Sequence, residues 1–294
     1  MRIKQYNPAA PNAKIALVFD VETNGLLDMK KAFAPKLDES PYVLQLSYAM
    51  YDLTNGKLVK TVDTYIQIPE HVNISPETTA VHGITKKMCI EQGYPMLDVL
   101  CEFYRDYHMS SICVAHNYRF DSTMLNIEFQ RHWSVMHQYY PYALNLFHPV
   151  YMKHCNIRYK CTMFDSIEIC KLPHPPKPSI TPPSTSPSTT PPTTAIQITT
   201  PPIVVPQPTT TTTTSTTTSQ PIATPPLVAK PIQPKKPSYK WPTLTELYTH
   251  YFKVPPTGMH NSMMDVWATL RCFVMMETGS TFTSDEFERL IHSP

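Results

Sequence analysis

The sequence predicts an α/β fold: a sheet that opens as an antiparallel meander, is flanked by helices, and is interrupted by one long insertion. Three observations predict it. The apolar run Ile15-Ala16-Leu17-Val18-Phe19 has the length and composition of a buried strand and stops at the turn of Gly25. Two further β-patterned segments, Tyr42 to Asp52 and Leu58 to Ile68, flank Thr54-Asn55-Gly56-Lys57, and Asn-Gly is the strongest short hairpin signal. Beyond them, helical and strand patterns alternate up to a tract that can form neither.

That tract is the insertion. Of the chain's 32 prolines, 19 lie between Pro173 and Pro237, among Thr and Ser, with no Phe, Tyr, Trp, Asp, Glu or Gly. Nothing there can offset the entropy of ordering, so the composition predicts a disordered or polyproline II tether. The organisation expected is residues 1–172 as the first part of one domain, 173–237 as the tether, and 238–294 as the second part of the same domain. The tether holds four of the chain's 25 Lys and Arg and none of its 23 Asp and Glu, which leaves the remainder with 21 basic against 23 acidic side chains. Wholesale attraction to a polyanion is excluded, and nucleic acid would have to be held by a local patch or through bound metal.

The remaining elements follow in order. Pro95 to Tyr107 has apolar residues at helical spacing, and Ser111 to Ala115 reads as a short buried strand. His116-Asn-Tyr-Arg-Phe-Asp121 then leads into a helical pattern through Phe129, so Asp121 stands where a loop becomes a helix. Cys161 to Phe164 suggests another strand, and Ile167 to Leu172 a short helix that runs into the tether. Past the tether, Leu244 to Phe252 carries an apolar helical stripe, Ser262 to Met276 a second helix with Asp265 in its first turn, and Thr283-Ser-Asp-Glu286 capping-box spacing. The seven cysteines are odd in number and scattered, as reduced core thiols would be, and His148, His154, Cys155, Cys161, Cys170 and His174 lack the paired spacing of a zinc site. The N-terminus has no apolar leader and no run is long enough to span a bilayer, so an intracellular, non-secreted chain without membrane contact is expected.

Chemistry centres on Phe19-Asp20-Val21-Glu22-Thr23-Asn24-Gly25. Residues two apart on a strand share a face, so Asp20 and Glu22 place two carboxylates side by side. Such a pair is neutralised by a hard divalent cation, or else is a solvated strand edge. With Asp121 and Asp265 at two helix starts, and His260 five residues before Asp265, the acids suffice for two ions about 4 Å apart that share a carboxylate.

The motifs resemble those of the DEDDh exonucleases of the DnaQ-like superfamily. Phe-Asp20-Val-Glu22-Thr-Asn-Gly-Leu26 is similar to the family's first motif, Ala115-His-Asn-Tyr-Arg-Phe-Asp121 to its second, and His260-Asn-Ser-Met-Met-Asp265 to its third. Val81-His82-Gly83-Ile84-Thr85 resembles a segment that lies between the first two. The resemblance implies a ribonuclease H-like fold whose central mixed sheet combines the antiparallel meander with parallel strands. It implies ligation of two Mg²⁺ or Mn²⁺ ions per site by Asp20, Glu22, Asp121 and Asp265, with His260 as general base. Thr23, Asn24 and Leu26 would line the 3′-terminal nucleotide, with Asn117, Phe120 and His82 nearby and Arg119 on phosphate. Phe120 and His82 have equally plain readings as a core aromatic and a loop histidine. The implied activity is 3′-to-5′ hydrolysis of nucleic-acid ends, expected to be single-stranded DNA in proofreading or trimming. Within the same chemistry stands an exoribonuclease or oligonucleotide hydrolase, and from another class an end-binding adaptor whose tether recruits a polymerase or other protein through Pro175-x-x-Pro178 or Pro231 to Pro237.

Overall fold

The computed structural model describes residues 2–6 (backbone only), 13–28, 35–176 and 239–291. Residues 1–174 and 238–294 form one compact unit, and the tether expected at 173–237, with its proline motifs, lies almost wholly outside the described residues. The strands are β1 (Arg2–Tyr6), β2 (Ile15–Thr23), β3 (Val43–Asp52), β4 (Lys57–Gln67), β5 (Tyr94–Pro95), β6 (Ile112–Ala115) and β7 (Arg158–Cys161). The helices are α1 (Pro76–His82), α2 (Lys86–Gln92), α3 (Met96–His108), α4 (Tyr118–Arg131), α5 (Trp133–Met136), α6 (Pro149–His154), α7 (Thr162–Asp165), α8 (Ile167–Cys170), α9 (Leu244–Phe252), α10 (Ser262–Thr278) and α11 (Ser284–Ile291).

The sheet order is β1-β4-β3-β2-β6-β7, with β5 added beside β4. β1, β4, β3 and β2 pair antiparallel, whereas β2, β6 and β7 run parallel. This is the mixed, helix-flanked sheet of the ribonuclease H-like fold. β2 is apolar on both faces because both are covered: Leu17, Phe19 and Val21 pack toward α3 and α4, and Ala16 and Val18 toward α9 and α10. Phe19 is the hub of the first layer, with Phe103, Tyr118 and Phe147 rings 5.6 to 6.0 Å away. The β3–β4 hairpin turns at Gly56 (φ 70°), where a β-carbon would be strained, and Asp52 and Asn55 side chains accept from the turn's N–H groups.

Polar groups fix α3 against the sheet. Lys60 Nζ on β4 lies 2.6 Å from both Glu102 and Asp106 of α3, and the buried Tyr48 hydroxyl of β3 donates to Asp106 at 2.5 Å. Each charge in this buried group has an opposite or hydrogen-bonded neighbour, which is what permits its burial.

Two elements differ from the sequence reading. The strand expected at Cys161 to Phe164 ends at Cys161, and Thr162–Asp165 turn into α7. β7 is an edge strand paired only with β6, so its Arg158 and Tyr159 are exposed and no apolar pattern marks it. Between β4 and α3 the chain forms α1 and α2, capped by Ser75 and Thr85. These seven-residue helices bury between them only Cys89, too little to give a periodic signal.

The insertion leaves and rejoins the domain at nearly one place. Lys240 N–H donates to the Leu172 carbonyl at 3.0 Å, and His116 bridges Thr162 Oγ1 (3.0 Å) and the Pro242 carbonyl (3.1 Å). Loop-closure entropy changes by only ~0.6 kcal/mol per doubling of length. Replacing residues 177–237 by a short Gly/Ser linker should therefore leave the thermal midpoint unchanged or raise it by a few degrees. A calorimetric scan showing a fall of more than about 4 °C, roughly 1 kcal/mol or more in a domain of this size, would contradict an independent insertion.

Candidate active site

The C-terminal end of β2 carries Asp20 and Glu22 on the face that packs against α10. α10 begins there because Asn261 caps it, its side chain accepting from Met264 N–H at 3.4 Å, and the buried Ser262 hydroxyl donates to the Asp20 carbonyl at 2.7 Å. That contact pins the first turn of α10 to β2 and delivers Asp265 beside the strand's acids. One carboxylate oxygen each from Asp20, Glu22 and Asp265 lie within 4.8 Å of one another. Asp121 arrives from the other layer, in the first turn of α4, and its Oδ1 accepts from Val21 N–H at 3.2 Å.

Left to themselves these acids oppose one another. Burial, then the Asp121, Asp265 and Glu22 charges, push the Asp20 carboxyl well above its ordinary range. Glu22 is raised to about 8 by burial and by Asp265 and Asp121. Burial also raises Asp121 to about 8 and Asp265 to about 7, each partly offset by the main-chain N–H groups it accepts from. Asp265 Oδ1 is buried with no hydrogen-bond partner among the described residues. A desolvated all-oxygen donor set with an orphaned oxygen fits a hard divalent cation, which would satisfy every one of these groups.

His260 stands outside the carboxylate cluster. It lies in the loop from α9 to α10 with φ 65°, two residues after Gly258 at φ 68°, and its main-chain N–H donates to Asp265 Oδ2 at 3.2 Å. A left-handed histidine is costly, and this one is exposed, with its main chain against Asp265. His82 is close by. Ile84 N–H donates to its Nδ1 at 3.0 Å, which puts the proton on Nε2, and its pKa is lowered by burial and by His260 although the Thr23 carbonyl partly opposes this.

The remaining residues differ in exposure and in the hydrogen bonds their side chains make. The Asn24 amide is used by the main chain, accepting from Tyr42 N–H (2.7 Å) and donating to the Asn73 carbonyl (3.0 Å). Thr23 Oγ1 donates to the Gly25 carbonyl at 2.7 Å. Leu26, by contrast, is 92% exposed. Asn117 opens α4 and is exposed, Arg119 is exposed on the first turn, and Phe120 packs partly against the main core. Ser262 and His116 were not singled out from sequence. Ser262 stands inside the third motif, but nothing in the spacing shows that its hydroxyl reaches β2.

The acidic cluster at the end of a central strand, fed by helices from both layers of a ribonuclease H-like sheet, is a set of side chains that could hold a divalent cation. A sequence profile described as exonuclease matches residues 17–164, about half of the chain, and the protein belongs to this exonuclease family. The DEDDh, DnaQ-like resemblance read from the motifs agrees with it. Among curated proteins, DNA polymerase III PolC-type of Streptococcus pyogenes serotype M2 (strain MGAS10270) is 34% identical over 116 residues, 40% of this chain but 7% of that polymerase. Among solved structures, E. coli exonuclease I in complex with a dT13 oligonucleotide has a TM-score of 0.50 at 16% identity, covering 94% of this chain and 42% of that one. The zinc-ion form of the E. coli exonuclease I complex with single-stranded DNA gives 0.50 at 15%, covering 91% and 42%. The chain thus spans less than half the length of these relatives, and the structural likeness speaks to the fold.

The raised carboxyls fix a pH dependence. Acids whose folded pKa lies above the unfolded value near ~4 hold more protons folded than unfolded, so metal-free stability falls as pH rises from about 4 to about 8. Thermal midpoints with EDTA should fall across that window, and Mg²⁺ should abolish most of the fall. Midpoints in EDTA that climb with pH would contradict the four-acid cluster.

Proposed function

We propose that this protein is a 3′-to-5′ exonuclease that hydrolyses the terminal phosphodiester bond of single-stranded DNA with two Mg²⁺ or Mn²⁺ ions. The observation that carries the reading is the convergence of Asp20, Glu22 and Asp265 within 4.8 Å, with Asp121 bonded to the same strand. The exonuclease family match and the oligonucleotide held by the structural relative support it.

Asp20, Glu22, Asp121 and Asp265 would hold the ions, which when bound neutralise the acids and stabilise the attacking and leaving oxygens of an in-line displacement. His260 takes the proton of the attacking water on its exposed imidazole. The left-handed loop gives that ring reach without spending it as a ligand. Leu26, projecting from the end of β2, offers an apolar contact to the terminal base, and Arg119 offers charge to a phosphate oxygen.

The deciding experiment incubates purified protein with Mg²⁺ or Mn²⁺ and single-stranded DNA or RNA of equal length, labelled at either end. Stepwise loss from the 3′ end of DNA is expected, and preferential RNA shortening would move the substrate class to RNA. Asp20→Asn and Asp121→Asn should each cost about 10²- to 10³-fold or more in rate with the fold retained.

His260→Ala should lower the rate at saturating metal by about 10²- to 10⁴-fold and remove the histidine inflection from the rate–pH profile. The metal concentration for half-maximal rate should hardly move, whereas Asp265→Ala should raise it. An equal rise in both variants would make His260 a ligand rather than the base.

A further inference from the structure

Among the described phenylalanines and tryptophans, all but two are buried or half-buried. The two exposed ones, Phe164 (61%) and Trp241 (61%), stand on either side of one histidine. The His116 Nε2–H donates to the carbonyl of Pro242, the residue after Trp241, at 3.1 Å. Its Nδ1 accepts from Thr162 Oγ1, two residues before Phe164, at 3.0 Å. A single exposed apolar side chain needs no explanation, but two bare rings brought to one place from distant parts of the chain do.

The topology puts this pair at the same edge of the sheet as the carboxylates. β2, β6 and β7 run parallel, and the pairings Val18–Val114 and Ala115–Cys161 set their C-terminal ends nearly level. α7, which carries Phe164, starts where β7 ends, two strand spacings or about 10 Å across the sheet from β2. Between the two, the chain leaves β6 through His116 and the exposed Asn117 into α4 and Asp121. Charge does not select what lies on the rings. The acids Asp165 and Glu277 share Lys160, Glu246 pairs with Lys240, and Glu168 is followed three residues on by Lys171, so no net cation is present.

We propose that Phe164 and Trp241 form a stacking platform for unpaired bases upstream of the terminal nucleotide, on a single strand whose 3′ end lies at the acids. The direction of that strand rests on the exonuclease reading above. A strand leaving the acids across the end of β6 meets these two rings next. Each base has a π-face that a flat aromatic ring can receive, and such stacking needs neither complementary charge nor a particular sequence. A duplex, whose bases are stacked and paired internally, is a poor occupant.

The test is binding in EDTA, apart from any nuclease assay. Trp133→Phe with Trp267→Phe leaves Trp241 as the only tryptophan of the full-length chain. An oligothymidylate should quench its emission saturably, and should bind at least about tenfold more tightly than an abasic strand of equal length or its own duplex. In the otherwise unaltered protein, anisotropy of a labelled oligothymidylate should show Trp241→Ala and Phe164→Ala each weakening binding by about tenfold, with thermal midpoints unchanged, and Trp241→Phe keeping most of the affinity. The ratio of wild-type to Trp241→Ala affinity should hold from about 50 to 200 mM salt, because no phosphate contact is lost. Such binding without 3′ cleavage would count against the nuclease reading and leave the platform standing. Equal affinity for the abasic strand, or full affinity in a folded Phe164→Ala Trp241→Ala protein, would overturn the platform whether or not the protein cuts DNA. So would Trp241 emission that ignores the oligothymidylate and shifts when residues 177–237 are replaced by a Gly/Ser linker, which would make the chain's own insertion the occupant.

Discussion

Mutual repulsion among four carboxylates in a desolvated place is the constraint on which the rest of the structure turns. Burial raises the pKa of each of Asp20, Glu22, Asp121 and Asp265, and for Asp20, Glu22 and Asp121 the neighbouring carboxylates raise it further. A loose scaffold would relieve this by letting them splay apart. The domain prevents that by seating two of them on the central strand and by fixing the others through main-chain donors. Val21 N–H holds Asp121, His260 N–H holds Asp265, and Ser262 ties the base of α10 to Asp20 itself. The free energy for this comes from the layers on either side of β2, where Phe19 and its aromatic neighbours fill one face and α10 the other.

The same arrangement explains the division of labour between the two sheet faces. Alternation along β2 sends Asp20 and Glu22 toward α10, so Asp265 can join them directly, whereas α4 lies over the opposite face. Asp121 therefore reaches the centre around the strand's end, and the bond to Val21 N–H marks that route. The His260 ring is not part of the carboxylate cluster: Gly258 and His260 are both left-handed, and the His260 N–H is what meets Asp265.

Much of this was legible from sequence, for identifiable reasons. β2, the β3–β4 hairpin, α3 and the post-tether helices carry strong periodicity or turn chemistry, and their positions agree to within a few residues. The acids were legible because charged residues inside or next to apolar patterns stand out. Edge strand β7 and the small helices α1 and α2 were not, since they bury too little to leave a period. Contacts between distant segments were invisible as well. Nothing local distinguishes the Asn24 amide, consumed by Tyr42 and Asn73, from the fully projecting Leu26. Nor does any spacing show that Arg271 is enclosed by rings from α9 and α11.

The junction of the insertion has a mechanical meaning. The chain departs after Leu172 and returns at Lys240 across one hydrogen bond, and His116 clasps Pro242 two residues further on. The two ends of the inserted segment are thus held side by side by contacts within the domain, so the number of residues between them can change without moving either end.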